Sequence, residues 1–65
     1  MENVDILKIE DYHYQIVYAT VGSTYQAYKR ISSTEWQVYQ GGEWSTLKST
    51  VCTQLETSYQ AKILI

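Results

Sequence analysis

The chain has no proline and no phenylalanine, and in 65 residues it has one cysteine, one histidine and three glycines. Each shortage closes a route. With Cys52 alone no intrachain disulfide forms, and with His13 the only histidine a Cys/His zinc site lacks its roughly four ligands. No apolar run approaches the roughly 20 residues that span a bilayer. The closing "KILI" is far too short for that. The opening "MENVDILKIED" is acidic and lacks the basic start and apolar stretch of a signal peptide. These absences lead us to expect a cytoplasmic, reduced setting, no metal, and Cys52 as a buried structural thiol.

Charge of either sign is also scarce. The net charge is −2, with residues 1–11 carrying Glu2, Asp5, Glu10 and Asp11 against Lys8. The remainder sets Lys29, Arg30, Lys48 and Lys62 against Glu35, Glu43 and Glu56. Strong capture of a phosphate backbone needs several Lys/Arg contacts at once and is not expected. A carboxylate surface that imitates DNA is equally unsupported.

What the chain does have is tyrosine: seven of them, with two tryptophans, thirteen Ser or Thr and six Gln. Tyrosine and β-branched residues favour strands, and the polar tip of tyrosine suits half-buried faces and interfaces. Residues 1–65 are read as one domain. A chain of this size buries only about 60% of the surface its unfolded form exposes. With no disulfide or metal to help, good packing or self-association must supply the stability.

The pattern of the first part of the chain is that of strands. "VDILKI" (4–9) alternates imperfectly before Glu10-Asp11 breaks the apolar run. "YHYQIVYATV" (12–21) is the clearest strand, with Tyr12, Tyr14, Ile16 and Tyr18 on one side and His13, Gln15, Val17, Ala19 and Val21 on the other. A turn at Gly22-Ser23-Thr24, of three to four residues, leads to a return strand over 25–31. Ser32-Ser33-Thr34 turns the chain into a third strand of the meander, 35–40, and Gly41-Gly42 into a fourth, 43–47. The period then changes to that of a helix, with Val51, Leu55 and Tyr59 as its stripe. Ser49 is the natural N-cap and Ser45 a second candidate. The helix should run to about Ala61, with "KILI" either ending it or returning as a strand. "TYQA" (24–27) and "SYQA" (58–61) then fall on a strand and a helix, which makes their likeness chance. The fold class is α+β: a small antiparallel β-meander of three to five strands with one C-terminal helix packed on one face.

Little here suggests catalysis. His13 reads as a surface histidine, and no Ser-His-Asp set is indicated. Glu35 and Glu43, the best carboxylate pair, point to opposite faces of a hairpin. Gly41-Gly42 matches no phosphate motif, because a P-loop needs Lys-Ser/Thr after its last glycine and here Glu43 follows. Gly-Gly is a favoured type I′ hairpin pair. The alternative is a helix starting near Glu43, with Trp44, Leu47, Val51, Leu55 and Tyr59 on one stripe. The hairpin is preferred because it gives cross-strand partners. It places Trp36, Val38 and Leu47 on the core side, and Tyr39 and Trp44 on the more polar face with Gln37, Thr46 and Lys48.

The expected function is that of a non-enzymatic protein–protein interaction module or small regulatory or inhibitory accessory protein, self-association included, with no cofactor. Its expected partner-binding residues are Tyr39, Trp44, Tyr12, Tyr14 and Tyr18. Its size suits a bacterial or phage protein. The runner-up is single-stranded nucleic-acid binding, with bases stacked on a Tyr-rich sheet face and Lys29, Arg30 and Lys48 meeting phosphates.

Overall fold

The structure, a computed structural model, describes residues 3–64. Five strands, β1 (Val4–Asp11), β2 (Gln15–Val21), β3 (Thr24–Arg30), β4 (Trp36–Gln40) and β5 (Glu43–Thr46), precede one helix, α1 (Ser49–Ile63). The strands form one antiparallel sheet in the order β1-β2-β3-β4-β5. This is the meander with a C-terminal helix that the periodicities imply.

Directly paired residues share a face, so the register sorts the sheet into rungs. One full rung, Ile9–Val17–Tyr28–Val38–Ser45, lies on the core side. The next full rung along, Glu10–Ile16–Lys29–Gln37–Thr46, lies on the opposite side. The helix covers only the core side. It seats Cys52, Leu55 and Tyr59 against Ile6, Val17, Ala19, Tyr28, Trp36 and Val38. Val51 and Leu47 pack at the margin of that cluster. Trp36, Leu55 and Val17 are wholly inaccessible to solvent. Trp36 meets Tyr59 edge-on, with ring centroids 5.8 Å apart. Cys52 is a buried free thiol, its Sγ 3.8 Å from the Trp36 carbonyl oxygen and 3.7 Å from that of Leu47.

Several boundaries differ from the sequence expectation, each for a local reason. The first strand does not stop at Ile9. Its register with β2 shifts between Ile6 and Lys8, leaving Leu7 as an extra residue, a bulge. Val4 and Ile6 point inward before it and Ile9 after it, which accounts for the imperfect alternation of "VDILKI". Because β1 continues to Asp11, which pairs with Gln15, residues 12–14 become the turn. Tyr12, His13 and Tyr14 are therefore not strand residues, and the Tyr12 N–H donates to the Tyr14 carbonyl at 3.2 Å.

The next turn is shorter than expected. Val21 pairs with Thr24, so Gly22-Ser23 alone makes the loop, and the return strand starts at Thr24 and ends at Arg30. Glu35 lies in the turn before β4, where its carbonyl receives the N–H groups of Ile31 and Ser32. β5 ends at Thr46, leaving Leu47 beyond the strand with its N–H on the Trp36 carbonyl at 3.2 Å.

The helix starts without a side-chain cap. Lys48, in extended conformation, holds the cap position, and Ser49 is the first helical residue. Two threonines, weak helix formers, are absorbed in it. Thr53 and Thr57 donate their hydroxyls to the carbonyls of Ser49 and Thr53, one turn back, from the exposed side. The helix runs on through Ile63 and is capped at Leu64, so Lys62, Ile63 and Leu64 are helix end and not strand, while Ile65 lies outside the described residues. Lys62 in the last turn suits the negative end of the helix dipole.

Candidate functional site

The Gly41-Gly42 hairpin sets the site. Both glycines have positive φ, +60° and +83°, which the two central positions of a type I′ turn require. The helix beginning near Glu43 is thereby excluded: Glu43 pairs with Gln40 and Trp44 with Tyr39. Trp36 and Val38 are buried under the helix, while Tyr39 and Trp44 stand on the bare side of the sheet. Their ring centroids are 5.1 Å apart at a 60° tilt.

The other expected contact residues collect around that pair. Tyr18 faces outward from β2, directly opposite Ala27 of β3. The register that pairs Tyr28 with Val38 brings Ala27 beside Tyr39. A transverse row thus reads Lys8, Tyr18, Ala27, Tyr39, Trp44, with a methyl group between two pairs of larger side chains. The short side chain leaves a shallow hollow of about 460 Å³, lined by Glu10, Tyr12, Tyr18, Ala27, Tyr39 and Trp44 together with Ile16. Tyr12 reaches it from the β1–β2 turn. Tyr14, on the same turn, does not line the hollow, but Lys29 links it to the site: the ammonium lies 4.4 Å from the Tyr14 ring centroid and 4.7 Å from that of Trp44. Tyr25 extends the aromatic surface, stacked on Tyr18 at 6.5 Å.

A polar group edges the hollow. Tyr18 donates its hydroxyl to Glu10 Oε1 at 2.9 Å, and Lys8 Nζ is 3.1 Å from Glu10 Oε2. The bonds from Lys8 and Tyr18 hold the Glu10 carboxyl below the usual range for glutamate. The hydrogen bond to the same carboxylate pushes the Tyr18 hydroxyl up, because the bond is made only while the hydroxyl keeps its proton.

Glu10, Lys8 and Ala27 were not expected contact residues, and Lys29 was expected only as a phosphate contact of the nucleic-acid reading. Lys29 and Ala27 were within reach, since both alternate with Tyr25 on a plain strand. Lys8 and Glu10 were not, because without the bulge they would share the inward side of Val4 and Ile6. Lys48, expected beside Tyr39 and Trp44, has left that face for the start of the helix.

His13 is exposed in the β1–β2 turn. Among the described residues, no group of three or more His, Cys, Asp or Glu is placed to hold a metal ion, and no helix is long and apolar enough to cross a membrane. Arg30 is turned to the covered side of the sheet, where its guanidinium makes two hydrogen bonds to Glu56, at 2.8 and 2.9 Å. No family model, curated protein or solved structure matches the chain.

Proposed function

We propose that this chain is a non-enzymatic protein-binding module, a small regulatory or inhibitory accessory factor that docks through the bare face of its sheet. The observation that carries this reading is convergence. Tyr12, Tyr18, Tyr39 and Trp44 come from a turn and three strands to line one hollow, and Tyr14 adjoins it through Lys29. Tyr39 is 48% exposed, Tyr14 57% and Tyr12 75%, a large aromatic area for so small a surface. Trp and Tyr in such clusters are the residues that dominate binding energy at protein interfaces. A free buried thiol suits a reduced cytoplasmic setting.

The nucleic-acid reading draws on the same aromatic face but on fewer cations. Of its three basic residues, Arg30 is engaged with Glu56 under the helix and Lys48 starts the helix, leaving Lys29. Glu10, at the rim of the hollow, repels phosphate.

Trp44→Ala tests the docking reading. The side chain lies on the face away from the core, so the circular dichroism spectrum should stay that of the parent chain. Association, read as self-association by sedimentation equilibrium and as partner capture by the immobilised chain, should weaken by about 2 kcal/mol, roughly thirtyfold. Association that is the same in both proteins would sink the assignment. Saturable fluorescence change with single-stranded oligonucleotides at low salt would favour the nucleic-acid reading in its place.

A further inference from the structure

We propose that the hollow receives a cationic side chain of the partner, an arginine in preference to others, with Glu10 as its counter-ion. This rests on the docking reading and names the chemistry it recognises.

Three observations point the same way. First, the walls are largely aromatic. Tyr12, Tyr18, Tyr39 and Trp44 surround a floor made by Ala27, and the face of an aromatic ring carries negative charge density that attracts cations. Second, this surface already attracts ammonium groups of its own chain. Lys29 lies over Tyr14 and Trp44 at 4.4 and 4.7 Å, and Lys8 lies 5.8 Å from the Tyr18 centroid. Lys29 is not among the residues that line the hollow, so its position does not fill it. Third, a carboxylate stands at the rim. Its Oε1 is fixed by Tyr18, while its Oε2 meets Lys8, whose side chain is 65% exposed against 22% for Glu10. A solvated lysine on a flexible stem is a displaceable partner; a planar guanidinium can stack on rings and present paired N–H groups to a carboxylate at once. The Glu10 carboxyl, held below its ordinary range by Lys8 and Tyr18, stays charged throughout neutral pH. An anionic guest would meet that charge, and a purely apolar one would cover it without replacing its partner.

The test uses the full chain and two probes, the peptides acetyl-Gly-Arg-Gly-amide and acetyl-Gly-citrulline-Gly-amide. Citrulline keeps the planar shape and removes the charge. Binding is read from the NMR shifts of the Ala27 methyl and the Trp44 indole. The arginine peptide should shift both saturably, in the millimolar range expected of a single side chain, and the citrulline peptide should bind about tenfold more weakly. Glu10→Gln should weaken arginine binding by about tenfold, and Lys8→Ala, which vacates the carboxylate, should tighten it several-fold. Equal binding of the two peptides, no shift with either at about 10 mM, or weaker binding by Lys8→Ala overturns the proposal. Those outcomes leave the docking reading standing, since that reading is tested separately by the association of Trp44→Ala and by the oligonucleotide titration.

Discussion

Glu56 is the residue on which most polar contacts of the covered face meet. It accepts from Arg30, from the Trp36 indole N–H at 3.2 Å and from the Gln60 amide at 2.7 Å. Trp36 is fully buried, so without Glu56 its N–H would have no acceptor of this kind in a dry core. Arg30 also caps the Tyr59 ring at 4.8 Å, and its Nη1 donates to Gln15 at 3.4 Å. One carboxylate thus fastens helix to sheet. Arg30, then Gln60 and Trp36, hold its pKa below the ordinary glutamate value of 4.5. A depressed folded-state pKa means that the unfolded chain binds the proton more readily. The stability from this group is therefore complete above about pH 4.5 and is lost as pH falls through the lower folded value. Glu56→Gln should lower the unfolding free energy at pH 7 by about 2 kcal/mol. Its disadvantage should shrink at pH 3. Urea titrations of both proteins at the two pH values check this, and an equal deficit at both would show that the charge is not what matters.

At the scale of elements, the two irregularities that shape the site are a turn and a bulge. An ideal β-carbon at Gly41 or Gly42 would meet no atom within 4 Å, so sterics from neighbours do not require these glycines. Their backbone conformation does. Gly42→Ala should cost about 1 kcal/mol from the positive φ alone, with Tyr39 and Trp44 still paired. A shifted urea midpoint with an unchanged Trp44 environment by NMR is the expected result; no shift in the midpoint would mean that the turn is not of this type. The bulge at Leu7 acts on the other edge. It turns Lys8 and Glu10 outward to Tyr18, and it breaks the regular hydrogen-bonding edge of β1. That discourages pairing of this edge with another strand.

For the whole molecule, one helix covers one side of one sheet, and that layer is the entire core. Removing it would bare Val17, Ala19, Tyr28, Trp36 and Val38 at once. Residues 1–47 alone should therefore fail to fold: no cooperative thermal transition and poor dispersion of amide shifts are expected. A sharp transition in that fragment would show that the sheet is stable without α1. Among the described residues the opposite side of the sheet gains no such cover, which is why Tyr39 and Tyr12 remain exposed there.

The sequence by itself determined the kinds and order of elements. Period-two runs separated by turn residues, then a 51/55/59 stripe, admit little but a meander followed by a helix. With Gly41-Gly42 read as a two-residue turn, it also placed Trp36 inward and Tyr39 and Trp44 outward, but only the pairing of β4 with β5 excluded a helix from Glu43 onward. Its misplaced boundaries include the turn at residues 12–14, which no glycine marks, the Gly22-Ser23 turn, shorter than expected, and the helix start, where Ser49 sits one position inside the helix. Tertiary structure alone decided the rest. The side that Lys8 and Glu10 take depends on one extra residue in β1, and only pairing with β2 reveals it. Whether Arg30 is free depends on Glu56, 26 positions away, and only the docking of the helix brings them together. The hollow is likewise a product of register: Ala27 is unremarkable in the sequence until neighbouring strands set Tyr18 and Tyr39 on either side of it.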